Sequence, residues 1–346
     1  MKRGLSSLDP NPSARAIYSI RQEKVRDALR RNGVDAGILY ADISTGADIA
    51  YLTHATLYWS YGAVLIVVDG PTVLLPGLSP RTEEWFSANG VFDRIVSSTD
   101  IAGAVRDLAV EFEVKSLGLI DSGHFPAALR EQLCAVPGLV VEDEGPIVRE
   151  QRQIPDIDSL KSFVDAARLG AHAIATASDA VARGETENAG AEAEYSMRMG
   201  GAWDASAIVE PSSEGGGLLS LRCQVRDGWY AAARHLGDVR WKDRGVRLLD
   251  VMRHSARKGG THEAAERLIR EELDLIPFPG VAVVAVTIEF AADIEPRYRM
   301  DEMGSFREGQ LIHMEVDAWS KDGASLIAVG DVFRVGASEG TLISSL

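Results

Sequence analysis

The stretch that most narrows what this chain can fold into is Leu218–Leu236, LLSLRCQVRDGWYAAARHL. Apolar residues alternate on both sides of Arg226-Asp227-Gly228, the pattern of two half-buried strands joined by a tight turn. A hairpin of that length has to lie in a larger sheet, because an isolated pair of strands is marginal in water.

The 346 residues of the chain suffice for two domains with full cores. Charged residues make up 25% and the net charge is −15, from 36 basic and 51 acidic side chains, an acidic balance that argues against nucleic acid and anionic membrane surfaces as partners. No run of about 18 apolar residues is present, so no membrane span is expected. The two cysteines, Cys134 and Cys223, have neither zinc-site nor disulfide spacing, which suits a reducing cytoplasm. The start, MKRGLSSLDPNPSARA, has no apolar segment of the kind a secretory signal needs.

A helix is predicted from about Ser13 to Arg31, with Ile17, Ile20, Val25 and Leu29 as its apolar face, ended by Asn32-Gly33. Short apolar strands then alternate with helices up to Leu139–Val141, which implies an α/β layer domain over 13–150. Glu150–Asp158, with Pro155, reads as the boundary, and 155–346 as the second domain. That domain opens with a long helix, Ser159–Arg183, and a second, Glu185–Gly200. Strand Ser206–Val209, the hairpin, two more helices and the apolar strand Val281–Ile288 follow, with further strand segments to the end.

The hairpin resembles that of the creatinase/methionine aminopeptidase/prolidase superfamily, the pita-bread enzymes. DIAYLTHATLYWSYGAVLIVVDG, QRQIPDIDSLKSFVDAARLGAHAI, FREGQLIHMEVDAW and IAVGDVFRVGASEGTLIS are similar to further segments of that superfamily. The resemblance implies an α/β N-terminal domain followed by an α+β pita-bread domain, and a homodimer in which the aromatic loop of one copy reaches the partner's cleft. Metal-dependent members bind two divalent cations through hairpin aspartates, a His and two glutamates. Here the hairpin positions match Arg222 and Ala232, the strand VAVVAVTIEF carries no His, and the last Glu is Gly330. Glu315 alone remains of the ligand set, and one carboxylate does not hold two hard cations. The segment Glu210–Gly217 also lacks the His that serves creatinase-like enzymes as a proton shuttle.

No cofactor and no bound metal are therefore expected. Arg222 is expected on a strand next to that of Glu315, either anchoring a substrate carboxylate or closing the old site as an ion pair. His313, two residues before Glu315, shares its strand face, as does Asp317. His313 and Glu315 form the expected catalytic acid–base pair. By resemblance, substrate contacts fall to Arg222, His235, Glu289, Arg297 and Tyr298, with His54, Trp59 and Tyr61 from the N-terminal loop. Two functions fit this sequence. One is a metal-independent, creatinase-like enzyme acting on a small polar amino-acid, amide or guanidino-type substrate by hydrolysis, elimination or rearrangement. The other is a non-catalytic pita-bread protein that binds a peptide or protein partner.

Overall fold

A computed structural model describes residues 12–42, 45–55, 57, 60–212, 216–237, 239–275, 281–291, 304–322 and 325–346. These divide into two compact units, one over 4–152 and one from Gln153 to Leu346.

In the first unit, α1 (Pro12–Asn32) precedes β1 (Ala36–Ala41), α2 (Ala47–Thr53), β2 (Gly62–Val67) and β3 (Thr72–Pro76). Then come α3 (Glu83–Asn89), β4 (Arg94–Ile95), α4 (Ile101–Glu111), β5 (Ser116–Ile120), α5 (Ala127–Cys134), β6 (Val140–Gly145) and α6 (Ile147–Gln153). The strands form one mixed sheet in the order β4-β3-β2-β1-β5-β6. Its central strands are buried on both faces, so they read as continuous apolar runs rather than as alternations. The buried side of α1 differs from expectation. Tyr18, Arg21, Gln22, Val25 and Leu29 face inward, while Ile20 is half exposed. Arg21 and Gln22 are tolerated there because backbone carbonyls accept from them: Tyr51 from Arg21 at 3.0 Å, and Leu52 and Val91 from Gln22 at 2.9 and 2.8 Å.

The second unit begins with α7 (Ile157–Ala182) and α8 (Thr186–Met199). β7 (Asp204–Pro211), β8 (Gly217–Val225), β9 (Gly228–Leu236), α9 (Val239–Ser255), α10 (His262–Leu275), β10 (Val281–Phe290), β11 (Leu311–Ser320), β12 (Ser325–Arg334) and β13 (Thr341–Leu342) follow. The sheet runs β10-β11-β12-β9-β8-β7, with β13 paired to β12. One face is backed by helices in two sections. Leu219, Leu221, Cys223, Tyr230 and Ala232 pack on the alanine-rich side of α7. Ile312, Met314, Val316 and Ala318 pack with Leu248, Met252 and Ile269 of α9 and α10.

The α7 contact is close because its residues are small. A Cβ on Gly170 would come within 2.4 Å of the Tyr230 ring, and one on Gly228 within 2.4 Å of the backbone of α7. Gly228 thus serves packing rather than the turn. The loop is only Arg226-Asp227, and Arg226 takes the left-handed conformation at φ 52°.

Candidate active site

Strand alternation decides which side chains share the face opposite the helices. On β8 and β9 the register pairs Arg222 with Ala231, Ser220 with Ala233 and Leu218 with His235. Ala233 lies beside Gly330, and Gly330 beside Glu315. Arg222, Ala231, Ala233, His235, Gly330 and Glu315 therefore line one face. Ala232 does not. It pairs with Leu221 and is buried against α7. The expected match at Ala232 is thus corrected by one residue, because a two-residue loop shifts every side chain across the sheet. Arg222 and Glu315 are also not on neighbouring strands, since β9 and β12 stand between theirs.

The centre of this face is a line of ionisable groups on β10 and β11. Glu289 is the cross-strand partner of His313. His313 Nδ1 lies 3.0 Å from Glu289 Oε1, and its Nε2 lies 3.2 Å from Glu315 Oε2, near enough for an ion pair but out of line for a hydrogen bond. Asp317, next along the same side of β11, stands beside Glu315 and feels its charge. Burial alone would push the imidazole down. The hydrogen bond to Glu289 and the contact with Glu315 outweigh it and lift His313 to about 9. Burial also works against a charged Glu315, yet His313, Asp317 and Arg222 together hold its carboxyl below the usual range. Asp317 responds the other way. Burial and the adjacent Glu315 charge raise it to about 7. At neutral pH His313 is a cation, Glu315 is a carboxylate, and Asp317 stands at its midpoint.

Glu289 was expected in a substrate-contacting loop; it is a buried strand residue, 6% exposed, that holds His313. Arg297 and Tyr298 lie outside the described residues, as does Trp59. Arg222 has no carboxylate within 4.0 Å among the described residues and acts on Glu315 through space. His235 is half-buried near the end of β9. His54 and Tyr61 belong to the first unit. His54 ends α2 at φ 58°, with Nδ1 3.0 Å from the Asn89 carbonyl and its ring 5.3 Å from that of Tyr18. Tyr61 donates to the Thr99 carbonyl at 3.2 Å and stacks on Tyr40. Cys223, on the helix-backed face, has its thiol pushed up to about 12 by burial, which makes it inert.

One polar cluster was not anticipated. Arg234 binds the buried Asp331 carboxylate and the Gly330 carbonyl, and the fully buried Tyr230 hydroxyl feels the charge of the same Asp331. Its signal in the sequence was a pair of misfits: a charged residue on the apolar side of β9, and an acid within the apolar run IAVGDVF.

No protein-family model matches the chain, and no curated protein does. Solved structures do. The prolidase of Pyrococcus horikoshii OT3 superposes with a TM-score of 0.70 at 15% identity, covering 94% of this chain and 98% of that one. The Xaa-Pro dipeptidase of Bacillus anthracis gives 0.70 at 17% identity, over 95% and 98%. The chain has the pita-bread fold of the prolidases. Dipeptidase PepE of Mycobacterium ulcerans, at a TM-score of 0.66 and 13% identity over 95% and 96% of the two chains, is similar in the same way. Identities this low speak for the fold and not for the chemistry. In this pita-bread domain no three His, Cys, Asp or Glu ligand atoms approach one another within 4.8 Å among the described residues.

Proposed function

We propose that this pita-bread protein is a metal-independent enzyme that performs acid–base chemistry on a small polar substrate of the amino-acid, amide or guanidino type. The observation that carries the reading is the line Glu289–His313–Glu315–Asp317. The donor set there does not suit two cations. Glu315 is already held by an imidazolium and lies under the field of Arg222. At position 330 a Cβ would come within 2.8 Å of the Glu315 Cβ, so the strands sit too close for another carboxylate.

The roles follow from charge. His313, 2% exposed and a cation at pH 7, positions Glu315 and keeps it ionised rather than accepting a proton itself. Glu315 and Asp317 share a proton, and either can give it to a leaving group or take one from a substrate or water. Arg222 supplies a fixed forked cation for a substrate carboxylate. Ala231, Ala233 and Gly330 leave only short side chains between Arg222 and Glu315. Hydrolysis, elimination and rearrangement all use this set. The reading includes a homodimer and a cytoplasmic setting; two unpaired cysteines suit the latter, and no helix among the described residues is long and apolar enough to cross a membrane.

The test is a panel of N-acyl amino acids, amino-acid amides and guanidino acids, followed by proton NMR with chelator-treated protein. Turnover that survives chelation and falls about 10²–10⁴-fold in Glu315→Gln is expected. Turnover that appears only after a divalent cation is added, or that is equal in Glu315→Gln, would overturn the proposal. A panel without turnover, accompanied by saturable peptide binding at this face, would favour a non-catalytic binding protein.

A further inference from the structure

The first unit contains a second cluster of ionisable groups that the proposed chemistry does not use. Asp48 stands in the first turn of α2, while Asp121 and His124 directly follow β5. One ligand atom from each, two carboxylate oxygens and an imidazole nitrogen, lie within 4.8 Å of one another. The Asp48 side chain is 2% exposed. Arg152 binds its Oδ1, and its Oδ2 has no hydrogen-bond donor among the described residues. Asp121 Oδ2 is likewise buried without a hydrogen-bond donor among the described residues, with His124 Nδ1 3.6 Å away. Two buried carboxylates this close together, each with an oxygen that no described donor meets, are costly unless something positive comes between them.

The topology gives this space a reason to exist. β1 and β5 are adjacent and parallel. From the end of β1 the chain passes to α2, whose Ile49 and Leu52 pack with Leu39 and Ala41 on one face of the sheet. From the end of β5 it passes to α5, whose Leu129 and Leu133 pack with Ile38 and Leu119 on the other. Connections that leave neighbouring parallel strands for opposite faces open a crevice at the carboxyl ends, where open α/β sheets bind their ligands. Asp48 and Asp121 are placed there, one on each connection.

We infer that Asp48, Asp121 and His124 form a binding site for one divalent transition cation of the Zn²⁺ or Mn²⁺ type, which ties the turn after β1 to the turn after β5. Two carboxylates and one imidazole suit such a cation better than Mg²⁺ or Ca²⁺, which favour all-oxygen shells. Arg152 then acts as the outer partner that orients Asp48, as hydrogen-bonded groups behind metal carboxylates do. The surrounding charge allows it. Burial raises the Asp121 carboxyl, and it feels His124 and Arg149 on one side and the carboxylates of Asp48 and Asp143 on the other. With His124 neutral, the three carboxylates balance the guanidinium groups of Arg149, Arg152 and, beside Asp143, Arg130, so no net positive charge opposes a cation. His124 Nδ1 is 3.6 Å from Asp121 Oδ2, so a small rotation brings both to bonding distance of one ion.

The experiment uses the untagged full-length protein, stripped with chelator and titrated calorimetrically with ZnCl₂ and, separately, with MnCl₂. One saturable site per chain is expected, and a melting temperature raised by about 5 °C or more at hundredfold excess over Kd. Asp121→Asn and His124→Gln, at partly exposed positions and checked for folding by circular dichroism, should each weaken binding at least about 100-fold and abolish the thermal shift. Glu315→Gln should leave both intact, which separates this site from the β11 line. Absence of saturable binding by either metal, or binding unchanged in both variants, would overturn the inference. So would an Asp121→Asn protein that melts higher than wild type with no metal effect in either, since a proton would then fill the space.

Discussion

Replacing His313 by Gln tests the centre of the site. The imidazole is lifted from 6.5 to about 9 because it lies between Glu289 and Glu315. At about 1.4 kcal/mol for each pKa unit, that lift corresponds to about 3 kcal/mol of stability carried by the protonated form. Below pH 6.5 the imidazole is charged in both the folded and the unfolded chain, and the contribution is fully present. Between 6.5 and 9 the unfolded chain loses the proton while the folded one keeps it, so the contribution drains away as pH rises. Above 9 it is gone. Urea unfolding of wild type and His313→Gln should therefore show a stability gap of about 3 kcal/mol near pH 6 that has largely closed by about pH 9.5, with unchanged m-values. Asp317 titrates near 7, so the change above about pH 7.5 belongs to His313. NMR of the ring nitrogens gives the titration directly. A gap of equal size at both pH values, or an imidazole that titrates at or below 6.5, would refute the reasoning.

Three further outcomes are expected. Arg222→Ala should mainly raise KM, and Glu315→Gln should mainly lower kcat; matched losses of stability with unchanged turnover per folded molecule would make both residues structural. Arg152→Ala leaves the Asp48 carboxylate, 2% exposed, without its cation, and should cost about 3–5 kcal/mol in thermal or urea unfolding, with a loss below about 1 kcal/mol counting against a buried pair. In light scattering at micromolar concentration the protein should have the mass of a dimer, and a strict monomer would remove that part of the proposal.

The hairpin was legible because its alternation is strong and its turn short, and the helix-backed face could be read from the same pattern. Its register was not. Taking Gly228 as a turn residue lengthened the loop by one and carried Ala232 to the wrong face. The inner side of α1 was misread because two of its buried residues, Arg21 and Gln22, are polar and are satisfied by carbonyls from distant segments. Helix α6 carries no apolar periodicity in the sequence, for a related reason. Of its residues Val148 and Arg152 are buried, and the second is inside only because Asp48 is there to meet it. The line of His313, Glu315 and Asp317 followed from the period of two along a strand. Glu289 was missed as its fourth member because β10 runs two residues beyond the apolar segment that announces it.

The residues at which this chain differs from the metal-binding sequence pattern it resembles are physically connected, and Gly330 joins them. Because position 330 has no side chain, Glu315 can lie directly against β12, where a Cβ would be 2.8–2.9 Å from Glu315 Cα, Cβ and Cγ. Held there, Glu315 is within reach of His313, and the imidazolium balances the carboxylates of Glu289 and Glu315 only in part. Arg222 adds the second positive charge, through space. Asp317 then remains the group whose proton is in balance near neutrality. A carboxylate side chain at position 330 works against this arrangement. Gly330→Glu would push Glu315 off its strand, and even Gly330→Ala should cost about 1–3 kcal/mol through overpacking. The informative comparison is the Asp317 titration in Gly330→Ala. If displacement of Glu315 removes its charge from beside Asp317, that carboxyl should fall from about 7 toward its ordinary value. An Asp317 that still titrates near 7 in a folded Gly330→Ala protein would mean that burial alone sets it, and that the close approach of β11 and β12 is not what poises the proton.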